Sequence, residues 1–451
     1  MKTGLIILWG MCALPALAQT VVKKDAAIAQ MGSEVSAANI EANVRKLVSF
    51  RTRHSLSDTL SKTEGIGAAR NWIKAEYEKY AKESGGRMTV QFDAFVQPKS
   101  DRINQPTVLK NILAILKGAD PTDSRVYIVS GHYDSMPTNV MDSVSTAPGA
   151  NDDASGTAVS MELARVMAKR QFPSTIIFMA VAAEEQGLYG SANVAKRAKA
   201  EKWNVDAMLN NDIVGNSHGQ DNDLKNNSQV RVFSDGIPTI AEGNAAQIRS
   251  LIGNGGENDS PSRQLARYVK EIAERYVEHL DVKLIYRRDR FLRSGDHVPF
   301  LQQGFTAVRF TEMNEDFTRE HQNVRTENGV AYGDVPEHVD YNYVQKVARM
   351  NLSVLANLAI APAQPQNVSM LTRALTNNTD LKWEAPAAGK KPAGYYVLMR
   401  ETINPYWEKK IFTTATQITL NYSKDNYFFA VQAVDADGHE SLPVFPKPVR
   451  Q

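Results

Sequence analysis

His132, Asp152, Glu184, Glu185, Asp212 and His321 each sit in a local sequence suited to holding a metal ion. His132 and Asp134 belong to Gly131-His132-Tyr133-Asp134-Ser135, at the end of an apolar run. Two apart on a strand, their side chains share a face. Asp134 could therefore accept the second ring N–H of a metal-bound His132 and fix its tautomer. A histidine–aspartate hydrogen bond without metal is the simpler alternative. Asp152 lies in a glycine-bounded turn, Pro148-Gly149-Ala150-Asn151-Asp152-Asp153-Ala154-Ser155-Gly156, just before a helical stretch whose free N–H groups can steady an anion. As a capping acid it would be unremarkable, and Asp153 reads as that alone. Glu184 and Glu185 end the apolar run 176–183. Where a strand turns, one of two adjacent carboxylates could bind metal while the other reaches a water upon it, a ligand beside a general base. Two solvated loop glutamates satisfy the same pair of letters. Asp212 follows 208–211, and Glu320-His321-Gln322 closes the set.

The combination is more telling than any member. Imidazoles and carboxylates are a ligand mix that suits zinc. Asp152, Glu185, Asp212 and one hydroxide would neutralise two divalent cations, and His132 and His321 would give each a neutral nitrogen. Two zinc ions about 3.5–4 Å apart, sharing a carboxylate and the hydroxide, can polarise a carbonyl and stabilise a tetrahedral intermediate. The expected chemistry is hydrolysis by metal-activated water. His297, in Ser294-Gly295-Asp296-His297-Val298-Pro299-Phe300, reads as a loop tie, with substrate orientation the alternative. The cluster Arg287, Arg288, Arg290 and Arg293 reads as a salt-bridged surface, with a substrate carboxylate as the alternative partner. His54, His218, His279, His338 and His439 have no acidic constellation around them and are set aside.

The elements that must position these groups alternate. Apolar spacing is helical over 35–50, 65–82, 156–169, 188–198, 262–280 and 341–358. Strand-like runs occupy 88–95, 109–116, 126–130, 175–183, 207–210, 230–233, 282–286 and 307–310. Such alternation predicts an α/β domain with a mostly parallel sheet covered by helices. The strand-borne candidates then fall at strand carboxyl ends, where open α/β sheets place their sites. Residues 215–259 turn polar and read as an elaborated loop region around the strand near 230–233. The run Ala361-Pro362-Ala363-Gln364-Pro365 reads as a linker. Beyond it only β-type segments remain, at 381–383, 395–400, 418–420 and 427–434, enough for a small β-sandwich.

A chain of 451 residues favours two domains. The charge balance, 52 basic against 50 acidic residues, gives no concentrated basic face, which argues against nucleic acid or an anionic membrane as partner. Lys2, an apolar stretch from Leu5 to Leu14 and Ala16-Leu17-Ala18 read as a secretory signal over 1–18. That stretch is short of the roughly 20 residues a span needs, so no retained membrane span is expected. The expected location is secreted or periplasmic, after cleavage near Ala18. The single cysteine, Cys12, lies inside that segment, so a mature chain would have no thiol for disulfides, catalysis or metal.

The ordered segments GHYDS, PGANDDASG, AAEEQGLYGS, NNDIVG, SGDHVPF and EHQNVR resemble the co-catalytic dizinc peptidases, the family of leucyl-type aminopeptidases and glutamate carboxypeptidases, over about residues 109–358. The resemblance implies that Asp152 bridges two metals. It gives His132 and Asp212 to one zinc, Glu185 and His321 to the other, the general base to Glu184 and an outer supporting role to Asp134. It also implies a mixed sheet of about eight strands between helices, of the phosphorylase/hydrolase type, in a domain spanning 19–360. One departure stands out: family members often carry a tyrosine or other donor near the last histidine, and here Glu320 precedes it, so the oxyanion donor is unassigned. Beyond the linker at 361–365, residues 366–451 resemble a fibronectin type III domain, an Ig-like sandwich, through Trp383, Gly394-Tyr395-Tyr396 and Tyr427-Phe428-Phe429. Such a unit could space the enzyme or dock it to polymer or protein. The function expected is a secreted zinc exopeptidase acting on peptides, in the first place an aminopeptidase. Glutaminyl cyclase, carboxypeptidase and a non-enzymatic binding protein are the alternatives.

Overall fold

A computed structural model describes residues 23–222, 224–237 and 245–450. The expected signal segment and Cys12 lie outside the described residues. The chain begins with helices α1 (Ala26–Glu34), α2 (Ala37–Val48) and α3 (Gly65–Lys82), then strands β1 (Met88–Gln97), β2 (Thr107–Leu116) and β3 (Arg125–His132). Next come α4 (Ala154–Met167), β4 (Thr175–Val181), α5 (Tyr189–Ala200), β5 (Asn204–Asn211) and β6 (Gln229–Phe233). Helices α6 (Ala245–Gly253) and α7 (Pro261–Tyr276) precede β7 (Asp281–Ile285), α8 (His297–Gln302) and β8 (Ala307–Glu312). A short hairpin, β9 (Arg325–Glu327) and β10 (Val330–Tyr332), leads to α9 (Tyr341–Ile360).

Eight strands form one sheet in the order β1-β2-β4-β3-β5-β8-β6-β7. The central run β4-β3-β5-β8 is parallel, as the alternation of elements predicts. Its flanks depart from this: β1 and β2 are antiparallel to each other, and the joins β2–β4 and β8–β6 are antiparallel too, while the edge pair β6–β7 is again parallel. The sheet is therefore mixed, as the resemblance implies, and the mostly parallel expectation holds only for its centre. Strand β4, Thr175–Val181, is buried on both faces, which is why its sequence is a continuous apolar run. One face carries α4, α7 and α9 in the main core, and the other carries α5 and α8 around Phe300. Helix α4 lies very close to the sheet. A Cβ on Gly131 would stand 2.3 Å from the Gly156 carbonyl carbon, and one on Gly156 would stand 2.2 Å from the Asn211 oxygen. Glycine at both positions lets the helix start sit against the ends of β3 and β5.

Several elements differ from the periodicity: α1 lies before the first expected helix, α6 forms inside the stretch expected as loop, and α8 and the β9–β10 hairpin fall where no element is expected. After α9 the chain is all β. Strands β11 (Gln366–Leu371), β12 (Thr379–Glu384), β13 (Gly394–Glu401), β14 (Lys409–Thr413), β15 (Gln417–Leu420), β16 (Tyr427–Val434) and β17 (Lys447–Val449) make two sheets, β15-β12-β11-β17 and β14-β13-β16. Trp383, Tyr395, Val397, Phe429 and Val431 lie in their shared core. This β unit rests on the α/β unit through buried charges: Asp259 receives Arg267 at 2.7 Å from its own unit and Arg400 at 2.7 Å from the β unit. Among the described residues no helix is long and apolar enough to cross a membrane.

Candidate metal centre

The sheet brings the scattered candidates to one place. His132 ends β3, Glu184 and Glu185 follow β4, Asp212 follows β5, and His321 comes from the loop after β8. Asp152 stands beside the start of α4. His132 Nε2 lies 3.1 Å from Asp152 Oδ1 and 3.9 Å from Asp212 Oδ1. On the other side His321 Nε2 lies 2.9 Å from Asp152 Oδ2 and 3.0 Å from Glu185 Oε2. One oxygen of Asp152 thus faces each histidine, and two three-residue groups, His132/Asp152/Asp212 and Asp152/Glu185/His321, gather ligand atoms within 4.8 Å. All are buried except His321, which is partly exposed.

These groups fit a metal ion better than they fit one another. His321 Nε2 makes no hydrogen bond despite its two carboxylate neighbours, and Glu185 Oε1 is buried without a partner. Four zinc ligands at roughly 2.0–2.2 Å stand about 3.4 Å apart, which is the scale of the separations here. The ring of His132 is oriented to match. Its Nδ1 lies 3.2 Å from the Asp134 carbonyl oxygen, which can only accept, so Nδ1 carries a hydrogen and Nε2 is the ring atom turned to Asp152, the one a metal would bind. The Asp134 carboxylate, expected to hold that ring, is 3.5 Å away. It accepts instead from the backbone N–H groups of Glu184 at 3.3 Å and Glu185 at 3.2 Å. Asp134 therefore ties the β3 end to the β4 end.

Charge concentrates here. Burial pushes the Glu184 carboxyl well above the usual range; His132 opposes this, and the carboxylates of Asp212, Glu185 and Asp296 add to it. Burial also lowers the affinity of His132 for a proton, but Asp134 and Asp152 outweigh it and leave the imidazole well above its ordinary value. Buried acids this close repel one another, and divalent cations would relieve the repulsion.

Several contributors do not stand out in the sequence. Asp153 caps α4 through Gly156 N at 2.9 Å, as expected, but also accepts from His132 N at 3.0 Å and Ile213 N at 3.3 Å. It thus fastens three ligand-bearing segments. Asp334 accepts from Asn151 N at 2.8 Å and Asp152 N at 2.7 Å. Arg309, fully buried on β8, pairs with Asp212 and Asp289, each at 2.9 Å. A charged residue inside the run 307–310 is the signal for it that the sequence offers. Left-handed backbone at Ala183, Ile213 and His321 places strain beside Glu184, Asp212 and the last histidine. Ile213 is held there from both sides, since its carbonyl also accepts from Thr311 Oγ1 at 3.0 Å and Glu312 N at 2.9 Å.

His297 and the arginine cluster have structural partners. His297 Nε2 meets the Arg288 carbonyl at 2.8 Å, a loop tie, though not to Asp296. Burial lowers its pKa to about 4. Of the arginines, Arg290 pairs with Glu315 at 2.5 Å, Arg293 with Glu320 at 3.0 Å and Arg288 with Asp235 at 2.9 Å, while Arg287 lies over the Phe291 ring. Salt bridges are what the cluster's charge pattern predicts. Two of the histidines set aside on sequence acquire close partners in the fold, and for His439 that reading is overturned, since Asp435, Asp437 and Glu440 lie within four residues of it. His439 lies 2.8 Å from both Asp435 and Asp25, and His54 lies 3.3 Å from Gln186, next to Glu185. The partners Asp25 and Gln186 are remote in sequence, so spacing does not announce them.

A parallel-centred α/β sheet with imidazoles and carboxylates converging at its strand ends defines a hydrolase of the metallopeptidase type. The match to Peptidase family M28 over residues 111–355 makes it specific: the chain belongs to that family. A probable zinc metalloprotease of Leptosphaeria maculans is 48% identical over 422 residues, covering 93% of this chain and 97% of that one. A second, from Pyrenophora teres f. teres, is 48% identical over 425 residues, 94% of this chain and 87% of that one. The fold is similar to the Legionella pneumophila LapA aminopeptidase, with a TM-score of 0.52 at 18% identity, covering 80% of each chain. It is also similar to an aminopeptidase from Aneurinibacillus sp. strain AM-1, with a TM-score of 0.51 at 16% identity, 74% of this chain and 96% of that one. The metallopeptidase class expected from the ordered motifs is borne out.

Proposed function

We propose that this chain is a secreted aminopeptidase that uses two zinc ions, bridged by Asp152, with His132 and Asp212 on one and Glu185 and His321 on the other. The observation that carries the reading is the carboxylate of Asp152, whose two oxygens each face a different histidine. When bound, zinc would supply Lewis acidity to the scissile carbonyl and acidify water. Glu184, half-buried and raised in pKa, is the residue to take the proton from water and pass it to the departing amine. Asp134 keeps Glu184 and Glu185 at the strand end through their N–H groups.

An N-terminal ammonium suits this site better than a C-terminal carboxylate. The neighbouring guanidinium groups of Arg290, Arg293 and Arg309 are already paired with acids. Asp296, by contrast, is a buried acid whose carboxylate oxygens lack hydrogen-bond partners. Secretion rests on the signal-like segment 1–18, and the division into a catalytic unit ending at 360 and a β unit beginning at 366 rests on the sequence pattern. Metal content measured beside a peptide panel tests the proposal. Two zinc equivalents and amino-acid release from a peptide with a blocked C-terminus are expected. Ammonia release from an N-terminal glutamine peptide would indicate a cyclase instead, and need for a free C-terminus a carboxypeptidase.

A further inference from the structure

Arg53 lies between α2 and α3, well before the family match begins at residue 111, and is wholly buried. Its side-chain acceptors are all backbone carbonyls. Nε donates to Tyr133 O at 2.7 Å, Nη1 to Pro148 O at 2.5 Å and Nη2 to Gly149 O at 2.8 Å. Tyr133 follows His132, and Gly149 opens the turn that carries Asp152. The backbone repeats the connection: Arg53 N donates to Ser135 Oγ at 3.1 Å, and that hydroxyl donates to Ala147 O at 2.8 Å. Packing around the fork is tight, since a Cβ on Gly149 would lie 2.9 Å from Arg53 Nη2 and 2.6 Å from Ser135 Cβ. Gly149 also has φ +51°, so it supplies both the space and the backbone shape.

We propose that Arg53 is a positioning residue for the metal centre: its guanidinium pins the loop after His132 to the turn bearing Asp152 and so sets their separation. This rests on the reading of His132 and Asp152 as metal ligands. A planar fork spreads its donors over three nitrogens in fixed directions and so holds three carbonyls at set separations, whereas an ammonium gathers its three donors on one rotatable atom. The charge also has a use where it lies. Burial lowers the Arg53 pKa to about 10, while the carboxylates of Asp334, Asp134, Asp153 and Asp152 act on it favourably. The same cation therefore moderates repulsion among the acids before metal arrives.

The test is the zinc dissociation constant, by competition with a chelating dye, for wild type, Arg53→Lys and Ser135→Ala. Circular dichroism and the thermal midpoint of each metal-stripped protein are recorded alongside. Arg53→Lys is expected to fold and to bind zinc about tenfold to a hundredfold more weakly, the scale for residues that support ligands. Ser135→Ala should shift affinity in the same direction by less. A folded Arg53→Lys within about twofold of wild type overturns the proposal. If that variant does not fold, Ser135→Ala decides, and unchanged affinity there overturns it. Wild type that takes up no zinc would instead refute the metal reading itself, and the clamp with it.

Discussion

Glu184 and Glu185 are adjacent in sequence and divided in task by a backbone turn. Ala183, in left-handed conformation, redirects the chain at the end of β4. Glu185 then reaches His321 at 3.0 Å, while Glu184 is the less buried residue of the pair. Glu184→Gln is expected to retain zinc and to lose on the order of a hundredfold or more in kcat, the scale for a general base. Metal analysis beside single-turnover kinetics checks both halves, and full activity would remove Glu184 from that role. At this scale the sequence is most legible. Histidines and acids in small-residue turns or at strand ends stand out by type. Arg53, Arg309 and Asp334 do not, because their roles are bonds to distant backbone or to acids brought in by the fold. No spacing encodes such contacts.

Each strand of the parallel centre delivers its group at its carboxyl end, and α4 closes the site from the helix side. The close seat of α4 is a checkable requirement. Gly156→Ala would place a methyl 2.2 Å from Asn211 O and 2.7 Å from both Asp153 carboxylate oxygens. A cost of about 1–3 kcal/mol is expected, the usual range for overpacking, read from urea unfolding. Zinc affinity should weaken with it, since Asp153 holds His132 and Ile213. Strands 109–116, 126–130 and 175–183 are readable because burial on both faces leaves long apolar runs. Their directions are not, because β2 and β4 look alike whichever way they run. Helix α6 escapes a sequence reading because its surroundings are polar and rich in turn residues.

For the whole molecule, the contact between the β unit and the rest of the chain has a pH signature. His439 on the β unit lies between Asp435 and Asp25, at 2.8 Å from each, and Asp25 caps α1. Burial lowers the His439 pKa, but the two carboxylates outweigh it and leave it above the usual 6.5. Burial likewise raises Asp25 and Asp435, and their bonds to His439 among others outweigh it and leave both below 3.8. A raised histidine stabilises fully below 6.5 and loses its contribution as pH climbs through its folded value. The lowered acids act in the opposite sense, stabilising above 3.8 and fading as pH falls through theirs. The triad should therefore contribute most between about pH 4 and 6.5. The thermal midpoint gap between wild type and His439→Gln should be widest there and narrow toward pH 9. A gap that does not change with pH would rule the arrangement out.

Asp259 is gripped by one guanidinium from each side of the junction, and Arg125 holds the carbonyls of Ala361 and Pro362 at 2.7 and 3.2 Å. A joint fastened in this way does not behave as a tether. Cutting the chain there would take Arg400 from Asp259 and the Ala361 and Pro362 carbonyls from Arg125, leaving each buried charge with only part of its partners, so the catalytic part is no more a detachable cassette than an arch is without its abutment.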